Sequence, residues 1–159
     1  MSLIVEPDIL IRCREQLSSL ETVYPGFRHW FDSKVQPGIQ AGTRYLDVIE
    51  HDDKLAGIVI AKNEDGERKL CTVWVHPDFR GRGMGIRLIR AACLWLGTDQ
   101  PLASVSEANH APVDKLLKKL GFIHTSSKVN PETGLIEHFY NEIERETENA
   151  QCHPAQITP

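Results

Sequence analysis

The chain has 159 residues, 41% of them hydrophobic and 25% charged, with a formal net charge of -4. That length supports one sizeable core and leaves little room for a second domain. An acidic balance gives no general attraction to nucleic acid or to an anionic membrane, so any contact with a polyanion must be local.

Four cysteines, Cys13, Cys71, Cys93 and Cys152, lie far apart without paired spacing. They fit small core residues in a reducing compartment better than a disulfide framework or a zinc site, and no metal ligand set is expected. The N-terminus lacks the basic start and long apolar run of a signal peptide. The longest apolar segment, Leu55 to Ala61, is too short to span a bilayer. A cytoplasmic protein without membrane contact is expected.

Leu3 to Val5 suits a brief strand, and Pro7 with Asp8 suits the first turn of a helix that carries Ile9, Leu10, Cys13, Leu17 and Leu20 at helical spacing. Phe27, Trp30, Phe31 and Val35 keep a helical period until Pro37 and Gly38, which are expected to break it. These aromatics read as core anchors, with the alternative that they line an acceptor site together with Tyr45 and His138 to Tyr140. Strands are expected over Thr43 to Glu50, Lys54 to Lys62 and Lys69 to His76. The first two are closed by polar hairpin turns, and the third is apolar on both faces like a central strand.

The third strand runs into His76 Pro77 Asp78 Phe79 Arg80 Gly81 Arg82 Gly83 Met84 Gly85. Glycines at 81, 83 and 85 can take positive φ and leave N–H groups free to converge on an anion, with Arg80 and Arg82 as fixed charge beside them. The loop reads as a pyrophosphate cradle, and equally as a surface turn that uses Gly for geometry and Arg for solubility. The helix that follows carries Ile86, Ile89, Cys93 and Leu96 and ends at Gly97, which places the loop at a helix N-terminus and favours the cradle.

Leu102 to Ser106 is a short strand, and Asn109 is a plausible N-cap for a helix with Val113, Leu116, Leu117 and Leu120 on one face, ended by Gly121. Phe122 to Ser126 and Leu135 to Tyr140 read as two more strands. From Asn141 the chain is polar and a frayed tail is expected. The organisation is therefore one domain over residues 1 to 140 and a polar tail over 141 to 159.

The segment from Leu70 to Phe122 resembles the acyl-CoA-dependent GNAT N-acetyltransferases. Arg80, Gly83 and Gly85 reproduce their Gln/Arg-x-x-Gly-x-Gly/Ala signature after a central strand, and Asn109 with Leu120 Gly121 Phe122 reproduces the later one. The resemblance implies an α/β fold with a mixed, mostly antiparallel sheet of about six or seven strands, splayed in the middle and flanked by about four helices. It implies that acetyl-CoA is the co-substrate, with its pyrophosphate on the amides of Gly81, Arg82, Gly83, Met84 and Gly85. The pantetheine would then run along main-chain groups near Trp74 and Val75, and Asn109 would lie beside it. A backbone N–H near that place would stabilise negative oxygen on the thioester carbonyl during attack. A primary amine, of a small molecule or a peptide, attacks directly. No nucleophilic cysteine is needed and no nucleic acid partner is expected, while homodimers are common among such proteins. Family members often carry an acidic Tyr on the helix before Leu-Gly-Phe; here that slot is Leu117. Glu107, His110 and Tyr140 stand as candidate proton carriers. A non-catalytic acyl-CoA sensor is the alternative, and a dinucleotide-binding protein ranks last because hairpin strands precede the loop.

Overall fold

The computed structural model describes residues 5–22, 24–142 and the backbone of 156–157. Helix α1 spans Pro7–Leu17. It is followed by a helical stretch built of α2 (Phe27–Trp30), a π-turn (Phe31–Val35) and α3 (Gln36–Ala41). Strands β1 (Arg44–His51), β2 (Lys54–Glu64) and β3 (Glu67–Val75) form an antiparallel meander. Then come α4 (Met84–Leu96), β4 (Ala103–Ser106), α5 (His110–Lys119), β5 (His124–Val129), β6 (Ile136–Tyr140) and the two-residue β7 (Gln156–Ile157).

Pro37 and Gly38 do not break the second helical stretch, against the sequence expectation; the helix ends at Gly42, which is left-handed with φ +80. A proline ring clashes with the carbonyl four residues back, here Ser33, and the π-turn over 31–35 widens the coil at that place. The fifth strand begins at His124 rather than Phe122, because the Phe122 amide is still bonded to Leu117 O at 2.9 Å, closing α5. Of the expected first strand, residues 1–4 lie outside the described ones and Val5 is not in a strand. The expected tail also falls largely outside them. Within it Asn141 is tied down by Ile123 N donating to its Oδ1 at 2.9 Å, and Gln156–Ile157 form β7.

The strands make two sheets, β1-β2-β3-β7 and β4-β6-β5. On one face of the first, Leu46, Leu55, Ile58, Ile60, Cys71 and Trp74 pack against Cys13, Leu17 and the buried aromatics Phe27, Trp30 and Phe31. The core reading of those aromatics is thus the one the structure supports. On the other face Val59, Ala61, Val73 and Val75 meet α4 and α5, and this second core runs on under β4 and β6 through Val105 and Tyr140. Tyr45 sits at its margin, stacked on Trp95 with ring centroids 5.4 Å apart. Tyr45 and Phe27 to Phe31 therefore lie on opposite faces of one sheet and do not form a common acceptor wall. Among the described residues no helix is long and apolar enough to cross a membrane.

Leu117 is fully buried at the centre of the second core. Its truncation, Leu117→Ala, removes three heavy atoms from a site with no solvent access. It is expected to lower unfolding free energy by about 2–5 kcal/mol in a urea titration; a loss under about 1 kcal/mol would contradict this packing.

Candidate active site

The site begins where the two sheets meet. Leu70 N donates to Leu102 O at 2.8 Å and Leu102 N to Arg68 O at 2.9 Å, so β3 and β4 run parallel and touch at this one bridge. Beyond it they part. Gln156–Ile157 of β7 pairs in parallel with Thr72–Val73 and also packs beside β4, so the gap holds two residues of the chain's own C-terminal segment.

His76 N donates to Ala56 O at 2.8 Å. By strand alternation Trp74 also turns its main-chain groups to β2, whereas Val75 turns its own toward the gap. Trp74 therefore differs from the sequence expectation, since its amide and carbonyl face the neighbouring strand. The Val75 carbonyl accepts from Arg80 Nε at 3.3 Å.

After β3 the chain is pinned by His76, whose Nδ1 accepts from Asp78 N at 3.1 Å, and by Phe79, buried against the rings of His51 and His76. Gly81 and Gly83 then adopt φ +77 and +78, with open space where a Cβ would stand. Gly85 does not take positive φ; it lies in the first turn of α4, where a Cβ would come 3.7 Å from Leu116 Cδ2. That is an ordinary packing distance, so neither φ nor space demands glycine at this position. Among the described residues the amides of 81 to 86 make no main-chain hydrogen bond, and Arg87 N to Gly83 O at 3.2 Å is the first bond of α4. These N–H groups stand at the positive end of a 13-residue helix, a local geometry that favours negative charge. Arg82 lies over the Phe79 ring at 5.5 Å, so one guanidinium flanks the loop while that of Arg80 is turned back onto β3.

At the C-terminal end of β4 a short 3-10 turn, Glu107–Asn109, leads into α5. Asn109 occupies the N-cap position but its side chain makes no capping bond, contrary to expectation, which leaves its amide available. Two of the three candidate proton carriers, Glu107 and His110, converge on His138, a buried β6 residue that sequence reading placed only in a pocket wall. Glu107 Oε2 is bonded to His138 Nε2, and this partnership holds the Glu107 carboxyl below its usual range. The ring of His110 stacks on that of His138 with centroids 3.6 Å apart. Burial, and then the neighbouring His138, push the His110 pKa down.

Tyr140 donates to Asp114 Oδ1 at 2.6 Å and is fully buried, so it packs and braces and cannot reach a substrate. Burial first, then the Asp114 bond, raise its pKa far above the ordinary phenol value. Alternation along β6 would have flagged His138 and Tyr140 as sharing a face, but only the pairing register puts that face under α5.

Residues 42–124 match the family model of an acetyltransferase (GNAT) domain. Among solved structures, the chain is similar to an acetyltransferase of the GNAT family from Streptococcus pneumoniae (18% identity, 86% of this chain and 93% of that one, TM-score 0.65). It is similar to the ribosomal-protein-S18-alanine N-acetyltransferase from Escherichia coli (18% identity, 86% and 88%, TM-score 0.64). A third is the PaiA N-acetyltransferase from Thermoplasma acidophilum, in complex with coenzyme A (13% identity, 87% and 96%, TM-score 0.59). At these identities the likeness establishes the fold. No curated protein matches by sequence.

Cys13 is buried in the first core and Cys93 packs against the second. Burial pushes Cys13 up to about 12 and Cys93 up to about 11. A raised pKa leaves both protonated at pH 8, so their iodoacetamide reaction should be slower than that of a free cysteine, by about a hundredfold for Cys93, and should accelerate only as pH nears 11. Peptide mapping of native protein would show this. Fast modification of Cys13 or Cys93 at pH 8 would reopen a nucleophilic role.

Proposed function

The chain belongs to the acetyltransferase (GNAT) family, and from that premise we propose that it transfers an acetyl group from acetyl-CoA to a primary amine, of a small molecule or of a peptide, by direct attack in a ternary complex. The observation that carries this reading is the row of unbonded amides from 81 to 86 at the start of α4, beside a parallel strand pair that opens. Acetyl-CoA supplies an activated thioester and a diphosphate. The residues present fit it: main-chain donors and a helix dipole for the diphosphate, the gap-facing edge of β3 for a linear chain with amide groups, and a side-chain amide at Asn109 that caps no helix.

In this reading Gly81 to Gly85 hold the anion and Arg82 adds charge without closing the loop. The acceptor must arrive as a free amine or lose a proton on arrival. Glu107, exposed at the mouth of β4 and bonded to His138, is the group placed to take that proton. Leu117, buried in the core, donates nothing. The thiolate product therefore leaves without help from that helix position, which its modest basicity permits.

Three measurements test this. Purified chain given acetyl-CoA and a panel of amines, including peptide N-termini, should release free thiol in an amine-dependent way. CoA binding without turnover on any amine would favour the sensor reading instead. Gly83→Glu should weaken CoA binding at least about tenfold, about 1.4 kcal/mol by calorimetry, because it sets a carboxylate in the anion site. Gly134→Glu is the control, since it carries a similar φ of +71 with open space in a distant hairpin. Equal loss in both variants would reduce the effect to backbone strain. Lastly, deletion of residues 143–159 removes the segment paired with Thr72–Val73 and should lower the KM for acetyl-CoA, because pantetheine and β7 claim the same edge. An unchanged KM would place the pantetheine elsewhere.

A further inference from the structure

His110, His124 and His138 come from three different elements: the first residue of α5, the first residue of β5 and the middle of β6. Each offers a ring nitrogen, and these atoms lie within 4.8 Å of one another. The rings crowd together, with centroids 3.6 Å apart for His110 and His138, 5.3 Å for His124 and His138, and 5.6 Å for His110 and His124. His110 Nε2 is buried without a hydrogen-bond partner, a cost that a ligand would relieve. From this cluster we propose that the three imidazoles bind one divalent transition-metal ion of the Zn2+ type, with water completing a four-coordinate shell.

The donor set suits that ion. Three imidazoles and a water are ligands of the kind Zn2+ accepts in a four-coordinate site. Bonds of about 2.0–2.1 Å set ligand nitrogens about 3.3 Å apart in a tetrahedron, so the cluster must close by about 1.5 Å. His124 is exposed and holds only the Ser126 carbonyl and the Ser127 hydroxyl, so its ring can make most of that movement.

His138 is already oriented. Its Nδ1 is 2.7 Å from Ser127 Oγ, the outer partner that fixes the tautomer of a metal-bound histidine. Its Nε2 faces Glu107 Oε2. Such a centre would pin the start of α5 to β5 and β6. It sits on the α5 face of the second sheet, apart from the anion loop, and it does not depend on the acetyl-transfer reading.

The test uses the tag-free full chain after chelator treatment. Co2+ titration should give the intense visible bands of a tetrahedral centre at one equivalent per chain, and Zn2+ should abolish them. Competition against a chromophoric chelator should then show that His124→Ala weakens Zn2+ binding about tenfold to a hundredfold or more, with Ser127→Ala weakening it less. His124→Ala is the decisive variant because its ring is exposed and the fold does not rest on it, whereas a His138 variant could fail to fold. Zn2+ should also raise the melting temperature of the unaltered chain and leave that of His124→Ala unmoved. Octahedral Co2+ spectra, a stoichiometry other than one, or equal Zn2+ affinity in His124→Ala would overturn the proposal.

Discussion

Among the described residues β3 is joined to the start of β4 by the main-chain bonds Leu70 N to Leu102 O and Leu102 N to Arg68 O, and the features of the candidate site follow from the parting of the two strands beyond them. β4 satisfies its far edge with β6 through the pairs Ala103 to Tyr140 and Ser106 to Glu137, which turns it away from β3. The inner edge of β3 then needs partners of its own, because buried main-chain groups left unbonded cost about as much as a lost hydrogen bond. It finds them in β7 at Thr72 and Val73, and in the Arg80 guanidinium at the Val75 carbonyl. A fold of this kind carries a built-in place for an extended, amide-bearing guest. What fills it is settled by relative affinity, and a segment of the same chain competes at the effective concentration its tether sets.

The loop after β3 shows how the same backbone is made stiff before it is made open. His76 caps the Asp78 amide, and Phe79 is clamped between the His51 and His76 rings. Only then come the two left-handed glycines. A side chain at Gly83 would meet no neighbour, yet its φ of +78 is a conformation that costs about 1–2 kcal/mol per residue for L-amino acids. In the proposed reading such a stiffened loop would present its main-chain amides with little ordering cost on binding, so that one adjacent arginine could suffice.

Much of this was legible in the sequence, and the failures share a cause. The glycine loop, α4 with its Gly97 cap, and the apolar stripe of α5 are local patterns, and local patterns survive reading one chain at a time. The helix through Pro37 was missed because a π-turn upstream absorbs the clash, and nothing in five ordinary residues announces a π-turn. The bond from Arg80 Nε to the Val75 carbonyl was not legible either, because the charge of Arg80 is visible in the sequence and the carbonyl it satisfies is not. The histidine cluster was invisible for a further reason. Residues 110, 124 and 138 are far apart along the chain, and they meet only through the pairing of Ser127 with His138 across β5 and β6. Cysteine spacing gave no hint of it, since no cysteine takes part.

That register matters beyond the cluster. Asp114 accepts from Tyr140 at 2.6 Å and from Lys118 at 2.9 Å, so the buried end of β6 is bolted to the middle of α5 by charge-assisted bonds. A slip of one residue in β6 would turn His138 and Tyr140 to the opposite face and bring Phe139 under the helix, leaving Asp114 without its phenol and Glu107 without its imidazole. Hydrophobic matching alone would resist such a slip weakly, since Phe139 is as good an apolar partner as Tyr140. The polar contacts, which add little net stability, are therefore what select one alignment of this half of the sheet. They also fix where a proton acceptor, or an ion, can stand relative to the opening between β3 and β4.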